Sequence, residues 1–344
     1  MTRVGVVGAG AGAAALTHVL DRATAAEVTV LEKSGGLCGR AATRRHGDLT
    51  YDYGANYLKS DDGRVNEFVS EVLGTDGLVD VTEPVYTFDR DGVVSPGREA
   101  DEHKWSYGAG LTQIAKRLFG GTDATVHRRT RVESIARGDG TWSLTDTDGT
   151  EWGPFDTLVL NPPAPQTATL LRSTDWNDDR REALLAAVED VDYRAVYTAV
   201  LHYEFELDRP YYALLNTDKE HDVGWISREE CKAGHVPDGQ SLLVVQSAHD
   251  WAIEHYDDDA AETVAALAAM TADVMSDERL AEPVWSDHQG WRYALPEGGV
   301  ASGPVDSAED AGLYCVGDWV PGEGRLHAAI RCGLDTGERM AYAL

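Results

Sequence analysis

The chain has 344 residues, 42% of them hydrophobic, which is length for two domains and enough apolar material for a sizeable core, so wholesale disorder is excluded. Lys and Arg number 30 against 59 Asp and Glu, a formal net charge of -29, and such a surface repels nucleic-acid backbones and anionic lipid. The acids are spread along the whole chain, as in the solvated shells of salt-loving organisms; Asp257-Asp258-Asp259, the nearest thing to a local acidic block, reads as a helix opening, where acids suit the macrodipole.

No stretch reaches the roughly 18 uninterrupted apolar residues of a membrane span. A strand pattern begins at Arg3, too early for a secretory leader. Cys38, Cys231, Cys315 and Cys332 are scattered without C-x-x-C spacing, so neither a zinc site nor a disulfide framework is expected, and the cytoplasm is the expected compartment. No histidine or carboxylate cluster suggests a metal, and no G-x-S-x-G elbow suggests a serine hydrolase.

In chain order, Arg3 to Val7 is a β-branched strand, Ala11 to Ala23 an Ala-rich helix, and Val28 to Leu31 a second strand that ends on an acid. This is a βαβ unit and implies a parallel sheet. Arg131 to Ile135, Thr141 to Thr145 and Glu151-Trp152 are short strands joined by Gly and Asp-Gly turns, an antiparallel meander. Phe155 to Leu160 returns to the parallel sheet and Asn161-Pro162-Pro163 ends it. Tyr193 to Tyr203, Val223 to Ser227 and Ser241 to Gln246 read as strands of another sheet, and Ala260 to Met275 as a helix. Gly312 to Val316 is a buried strand, Gly317-Asp318 a turn, and Leu326 to Ala343 a closing helix. The expected class is therefore α/β: a Rossmann-type domain of parallel sheet plus meander (1–60, 105–165 and 300–344) with an inserted α+β substrate domain (61–104 and 166–299).

The turn Gly8-Ala9-Gly10-Ala11-Gly12-Ala13 fits G-x-G-x-x-(G/A) between a strand and a helix. Gly8 permits the tight turn, Gly10 lets backbone approach a pyrophosphate at the helix N-terminus, and Ala13 allows close helix–strand packing. Glu32 ends the second strand, where a carboxylate accepts from adenosine ribose hydroxyls. Dinucleotide binding follows. An NAD(P)-dependent dehydrogenase without flavin explains Gly8 to Glu32 but leaves later motifs unused.

The run from Glu32 and Lys33 through Gly39, Arg40 and Thr43 to Arg45 resembles the second FAD signature of the amine-oxidase superfamily, and it looks closest to the renalase-like branch. Asp52-Tyr53-Gly54-Ala55-Asn56-Tyr57 resembles that branch's D-x-G-A-x-Y element. Tyr107 to Leu111 resembles a glycine turn before a helix, Leu160 to Gln166 a proline-rich crossing, Gly290-Trp291-Arg292-Tyr293-Ala294 a W-R-Y-A segment, and Val316-Gly317-Asp318-Trp319 the closing G-D motif. The resemblance implies non-covalent FAD. Gly39 would approach the phosphates, with Arg40 on them or on the flavin, unless Arg40 is only a surface ion pair. Val132 would offer backbone to the adenine. Asp318 would accept from a ribityl hydroxyl, and the helix start at Arg325-Leu326-His327 would face the flavin pyrimidine edge.

Trp291 and Tyr293 are either an aromatic wall facing the flavin or core residues at strand alternation, and Tyr57 carries the same two readings. His327 either tunes flavin protonation or caps the closing helix. The sequence departs from the branch at Cys38, which stands where glycine is usual and is expected to deny the loop a glycine-only conformation. It departs again at His327-Ala328, which stand where Glu-Gly is frequent, with Arg331 close behind. The resemblance implies an oxidoreductase taking hydride from a small organic donor, a dihydronicotinamide isomer or an amine. A non-catalytic escort protein on the same fold is the alternative from another class.

Overall fold

The computed structural model describes residues 1–98 and 101–344. A five-stranded parallel sheet runs in the order Thr125–Arg128, Glu27–Glu32, Arg3–Val7, Thr157–Leu160, Leu313–Cys315. Strands covered on both faces need nearly continuous apolar runs, and Val4, Val6, Val30, Leu158 and Val159 supply them fully buried. The edge strand Thr125–Arg128 was not legible as one, because Thr-Val-His-Arg carries neither alternation nor an apolar run. The meander follows as Val132–Gly138, Thr141–Asp146 and Glu151–Phe155, antiparallel throughout.

The opening helix, Ala11–Ala23, lies against the closing helix, Leu326–Ala343. Their approach is close enough to dictate composition. A Cβ on Gly333 would fall 2.1 Å from the Gly12 carbonyl oxygen, one on Gly12 2.8 Å from the Ala329 oxygen, and one on Gly337 2.9 Å from Val19 Cβ. Ala329, Gly333 and Gly337 recur every fourth residue and so share one face of the closing helix. The Ala/Gly richness of the opening helix therefore reflects packing as well as propensity.

A second sheet has seven strands in the order Trp285–Glu297, Asp192–Tyr203, Ser241–Ser247, Val223–Arg228, Ala213–Asn216, Val85–Phe88, Val94–Ser95. The helix Ala260–Met275 packs against it through Val264, Leu267 and Ala268. Asp259 caps that helix by accepting from the N–H groups of Ala261 and Glu262, the capping role expected for the acidic run. A hairpin, Thr43–His46 with Leu49–Asp52, lies on the sheet through Leu49, Tyr51, Val200, Leu242 and Val244. It bridges the glycine-rich loops to the second sheet. Among the described residues no helix is long and apolar enough to cross a membrane.

Candidate functional site

Gly8 has φ +93 and its N–H donates to the Leu31 oxygen at 2.8 Å, which turns the chain back over the sheet edge. Across from it, the Cys38 N–H donates to the Ala9 oxygen at 2.9 Å, and Gly39 takes φ +54. A Cβ on Gly39 would face the Gly10 Cα at 3.8 Å, so the two glycine loops form a cradle whose opposed walls are backbone. Gly10 stands at the N-cap of the opening helix and supplies no capping side chain. Among the described residues nothing accepts from the N–H groups of Ala11, Gly12 and Ala13. Buried donors without partners are costly. Three at one helix N-terminus fit the phosphates of a dinucleotide.

Asn161, read from sequence only as a strand end, locks this turn. Its Oδ1 accepts from the Gly10 N–H at 2.9 Å, and its Nδ2 donates to the Val316 oxygen at 2.9 Å. The buried Glu32 carboxylate accepts from the N–H of Ala9 and of Ser34, each at 2.7 Å. It thus fixes both loops, and a ribose would meet its remaining lone pairs. Lys33 points its ammonium at Gln166 Oε1, 2.9 Å away.

Arg40 and Asp318, 278 positions apart, meet directly at 2.6 Å. A second Arg40 nitrogen donates to the Ala294 oxygen at 3.0 Å. With Asp318 only 8% exposed, this is not a surface ion pair. Gly54 is required beside it, since a Cβ there would sit 2.1 Å from the Arg40 oxygen, and the Ala55 N–H donates to that same oxygen. Asn56 reaches instead to the second sheet, contacting Ser227 Oγ and Gln246 Oε1 at 3.3 Å each. Gly317 precedes Asp318 with φ +149. Val132 is buried at the start of the meander, opposite Asp146.

The remaining candidates each have partners within the protein. The Thr43 hydroxyl donates to Asp52 at 2.6 Å and is committed to that carboxylate. Trp291 stacks on Tyr53 at 5.3 Å, and Tyr53 also carries the Arg44 guanidinium at 4.1 Å. Tyr293 meets the edge of Tyr193 at 5.8 Å and lines a hollow of about 350 Å³ with Pro165, Arg172 and Glu189. Tyr57 packs with Tyr212 and Trp225. Arg325 is the N-cap of the closing helix and makes no side-chain cap, and Leu326 is its first residue. His327 is buried with Nε2 3.0 Å from Glu323 Oε1, and its Nδ1 has no partner among the described residues. It does not cap the helix.

Cys38 corrects one expectation. It adopts φ +78, the left-handed conformation the loop was expected to be denied. The strain of about 1 kcal/mol is offset by burial of the side chain, whose Sγ lies 3.7 Å from the Leu111 oxygen. Burial pushes the Cys38 thiol up to about 12, and Cys231 likewise to about 12. Burial also raises Cys315 and Cys332. Iodoacetamide at mildly alkaline pH is therefore expected to leave the native protein unlabelled and to label all four cysteines after unfolding. Rapid native labelling of Cys38, read by mass spectrometry, would contradict this packing.

A fully buried tetrad was not visible in the sequence. Lys232 Nζ lies 2.7 Å from Glu229 Oε1 and 3.1 Å from Asp52 Oδ2. His235 places Nδ1 2.8 Å from Glu229 Oε2 and Nε2 2.9 Å from the Tyr107 oxygen. Both ring nitrogens thus face acceptors. The Lys232 ammonium lies between the Asp52 and Glu229 carboxyl groups. Burial opposes ionisation of Asp52, but Lys232, His235 and the Thr43 and Leu111 donors outweigh it and hold its carboxyl below the usual range. Burial likewise opposes the Lys232 charge, and the two carboxylates outweigh it and raise its ammonium above the usual range. Asp52, Glu229 and His235 are spaced like metal ligands, but the Lys232 ammonium already sits between the carboxylates.

The parallel sheet, the facing glycine loops and the unpartnered helix N-terminus define a dinucleotide-binding oxidoreductase. The chain belongs to the family of flavin-containing amine oxidoreductases, whose model matches residues 99–341; residues 6–72 match an NAD(P)-binding Rossmann-like domain. It is a flavin-dependent oxidoreductase whose cofactor is FAD. Among solved structures, a protein provisionally assigned as a protoporphyrinogen oxidase from Exiguobacterium sp. 255-15 is 14% identical over 100% of this chain and 99% of its own, with a TM-score of 0.82. A triple mutant of putrescine oxidase is 12% identical over 100% of both chains, TM-score 0.76. A conjugated-linoleic-acid-producing fatty acid isomerase from P. acnes is 14% identical over 98% of both, TM-score 0.69. At such identities the likeness is one of fold.

Proposed function

We propose that this protein oxidises a small organic donor whose ring or amine nitrogen expels hydride, with a dihydronicotinamide isomer as the leading donor, as in the renalase-like branch. FAD, held without a covalent bond, would supply the hydride acceptor at N5 and pass electrons on to oxygen or another acceptor. The coenzyme domain would comprise 1–60, 105–165 and 300–344, and the substrate domain 61–104 and 166–299. Ala11, Gly12 and Ala13 would present N–H groups to the phosphates, with Gly8, Gly10 and Gly39 keeping side chains out of the cradle. Glu32 would hold the ribose. Arg40 and Asp318, already oriented by each other, would hold the middle of the coenzyme. The closing helix, entered through Arg325, Leu326 and His327, would turn its positive end toward the ring and favour negative charge there.

The observation that supports this donor class is the state of the nearby ionisable groups. Burial raises the phenols of Tyr57, Tyr193 and Tyr212, which keeps them protonated at neutral pH. The Lys232 ammonium is held charged between two carboxylates. None of these is a base. A donor that leaves its hydride without prior deprotonation by the protein suits such a site.

The test is anaerobic reduction of the bound flavin by a panel of dihydronicotinamides and amines. With a dihydronicotinamide the rate constant is expected to stay flat from about pH 8 to about pH 9, above the ordinary imidazole range and below that of the phenols. An amine donor would instead give a rate rising about tenfold per pH unit below its own pKa. A flavin that no member of either panel reduces would overturn the reading.

A further inference from the structure

On the flank of the second glycine loop, four cations and, among the described residues, no carboxylate line a groove of about 420 Å³: Arg44, Arg45, Lys116 and Arg128, with Leu37 and Tyr53 as its apolar part. The chain carries 59 carboxylates and only 30 cations, so this is the reverse of its average surface. We propose that this groove is a binding site for a small phosphorylated ligand, separate from the seat of the coenzyme phosphates.

The cations come from three places in the sequence, and the fold assembles them. Arg44 and Arg45 lie on the hairpin strand Thr43–His46, Lys116 on the helix Gln113–Gly120, and Arg128 at the end of the edge strand Thr125–Arg128. Arg44 is spent: it pairs with Asp287 at 2.9 Å and lies over the Tyr53 ring. The other three form no ion pair among the described residues. Among the described residues the Arg45 side chain donates only to the Ala109 oxygen, that of Arg128 only to the Gly35 oxygen, and that of Lys116 to nothing. In a protein of net charge -29 three clustered cations without carboxylates repel each other, and an anion relieves that repulsion.

The shape chooses among anions. A concavity of this volume falls in the range of small-molecule sites, roughly 300–1,000 Å³. Guanidinium and ammonium groups lining one space supply the kind of donors phosphate oxygens accept from. Leu37 and Ala42 leave room for an apolar part of the ligand beside the charged end.

The groove is not the coenzyme cradle. None of the residues 38–41, which face Gly10 and Asp318, lines it. Gly35 to Leu37 and Ala42 to Arg45 belong to the run that resembles the FAD signature, but of the residues named as coenzyme contacts only Thr43 lines the groove, and its hydroxyl is turned to Asp52. The inference therefore stands whether or not the donor assigned above is correct.

The experiment is calorimetric titration of the FAD-loaded protein with inorganic pyrophosphate and with AMP, with adenosine as the uncharged control. Both phosphates are expected to bind with Kd below about 1 mM, and adenosine not to bind. Charge reversal in Lys116→Glu/Arg128→Glu is expected to weaken both by about tenfold or more, with the flavin spectrum and Tm unchanged; Lys116→Ala alone should give a smaller loss in the same direction. Absence of binding to the loaded protein overturns the proposal. So does binding that occurs only without FAD and is displaced by it, because the groove would then be the coenzyme's own phosphate seat. Equal binding by the reversed variant overturns it as well.

Discussion

Lys232→Met is expected to destabilise the protein by about 3–5 kcal/mol, because it removes the ammonium that lies between two buried carboxyl groups. In thermal unfolding of a chain of this length this corresponds to a Tm lower by about 4–7 °C. The double variant Lys232→Met/Glu229→Gln is expected to be more stable than the single one. Replacing Glu229 together with Lys232 removes one of the two facing acids, and leaves Asp52 with its Thr43, Ser106 and Leu111 donors. A Tm for Lys232→Met equal to that of the unaltered protein would show that the tetrad carries no net charge balance. So would a double variant below the single. The same cluster sets an acid limit. The Asp52 carboxyl is held below its usual range in the fold, so its contribution is fully present above the unfolded value of about 3.9 and is lost as pH falls through the folded value.

Gly333→Ala is the second large effect. A methyl group there would lie 2.1 Å from the Gly12 carbonyl oxygen, a backbone atom that no rotamer change can move. The closing helix must shift by on the order of 1 Å, at a cost of about 1–3 kcal/mol. Gly12 also carries one of the three N–H groups proposed to meet the coenzyme phosphates, so the shift disturbs the cradle as well. Purified Gly333→Ala is expected to retain less FAD, read as the flavin absorbance relative to protein absorbance after gel filtration. Gly337→Ala is expected to be milder, since the nearest obstacle is the Val19 side chain at 2.9 Å. Wild-type flavin content and Tm in Gly333→Ala would refute this account of the helix pair.

What the sequence revealed followed from local pattern. The strand, glycine turn and helix from Arg3 to Ala23 announce themselves by periodicity and by two glycines with fixed spacing, and the closing helix was readable to its bounds. Trp285–Glu297 was not read as one long strand, because Asp287, Gln289 and Arg292 break its apolar signal. The structure shows why they are tolerated: Asp287 and Gln289 meet Arg44 of the hairpin. The helix Asp179–Glu189 buries only Leu184 and Val188, too few for a periodic stripe. Long-range chemistry was the larger loss. Nothing in the neighbourhood of Lys232 points to Asp52, 180 positions away. Asn161 looked like a strand end, and the Arg40–Asp318 pair was divided between two motifs. The one available hint is the row of small residues every fourth position from Ala329 to Gly337, whose packing role shows only against the opening helix.

The opening helix and the helix that covers it are separated by roughly 300 residues of chain. At ribosomal speeds of about 5–20 residues per second, its glycine- and alanine-lined face waits on the order of tens of seconds for its partner. Vectorial folding from the ribosome therefore cannot complete the coenzyme half first. Throughout that interval the nascent chain presents an uncovered apolar stripe, and a message truncated before Leu326 makes that exposure permanent.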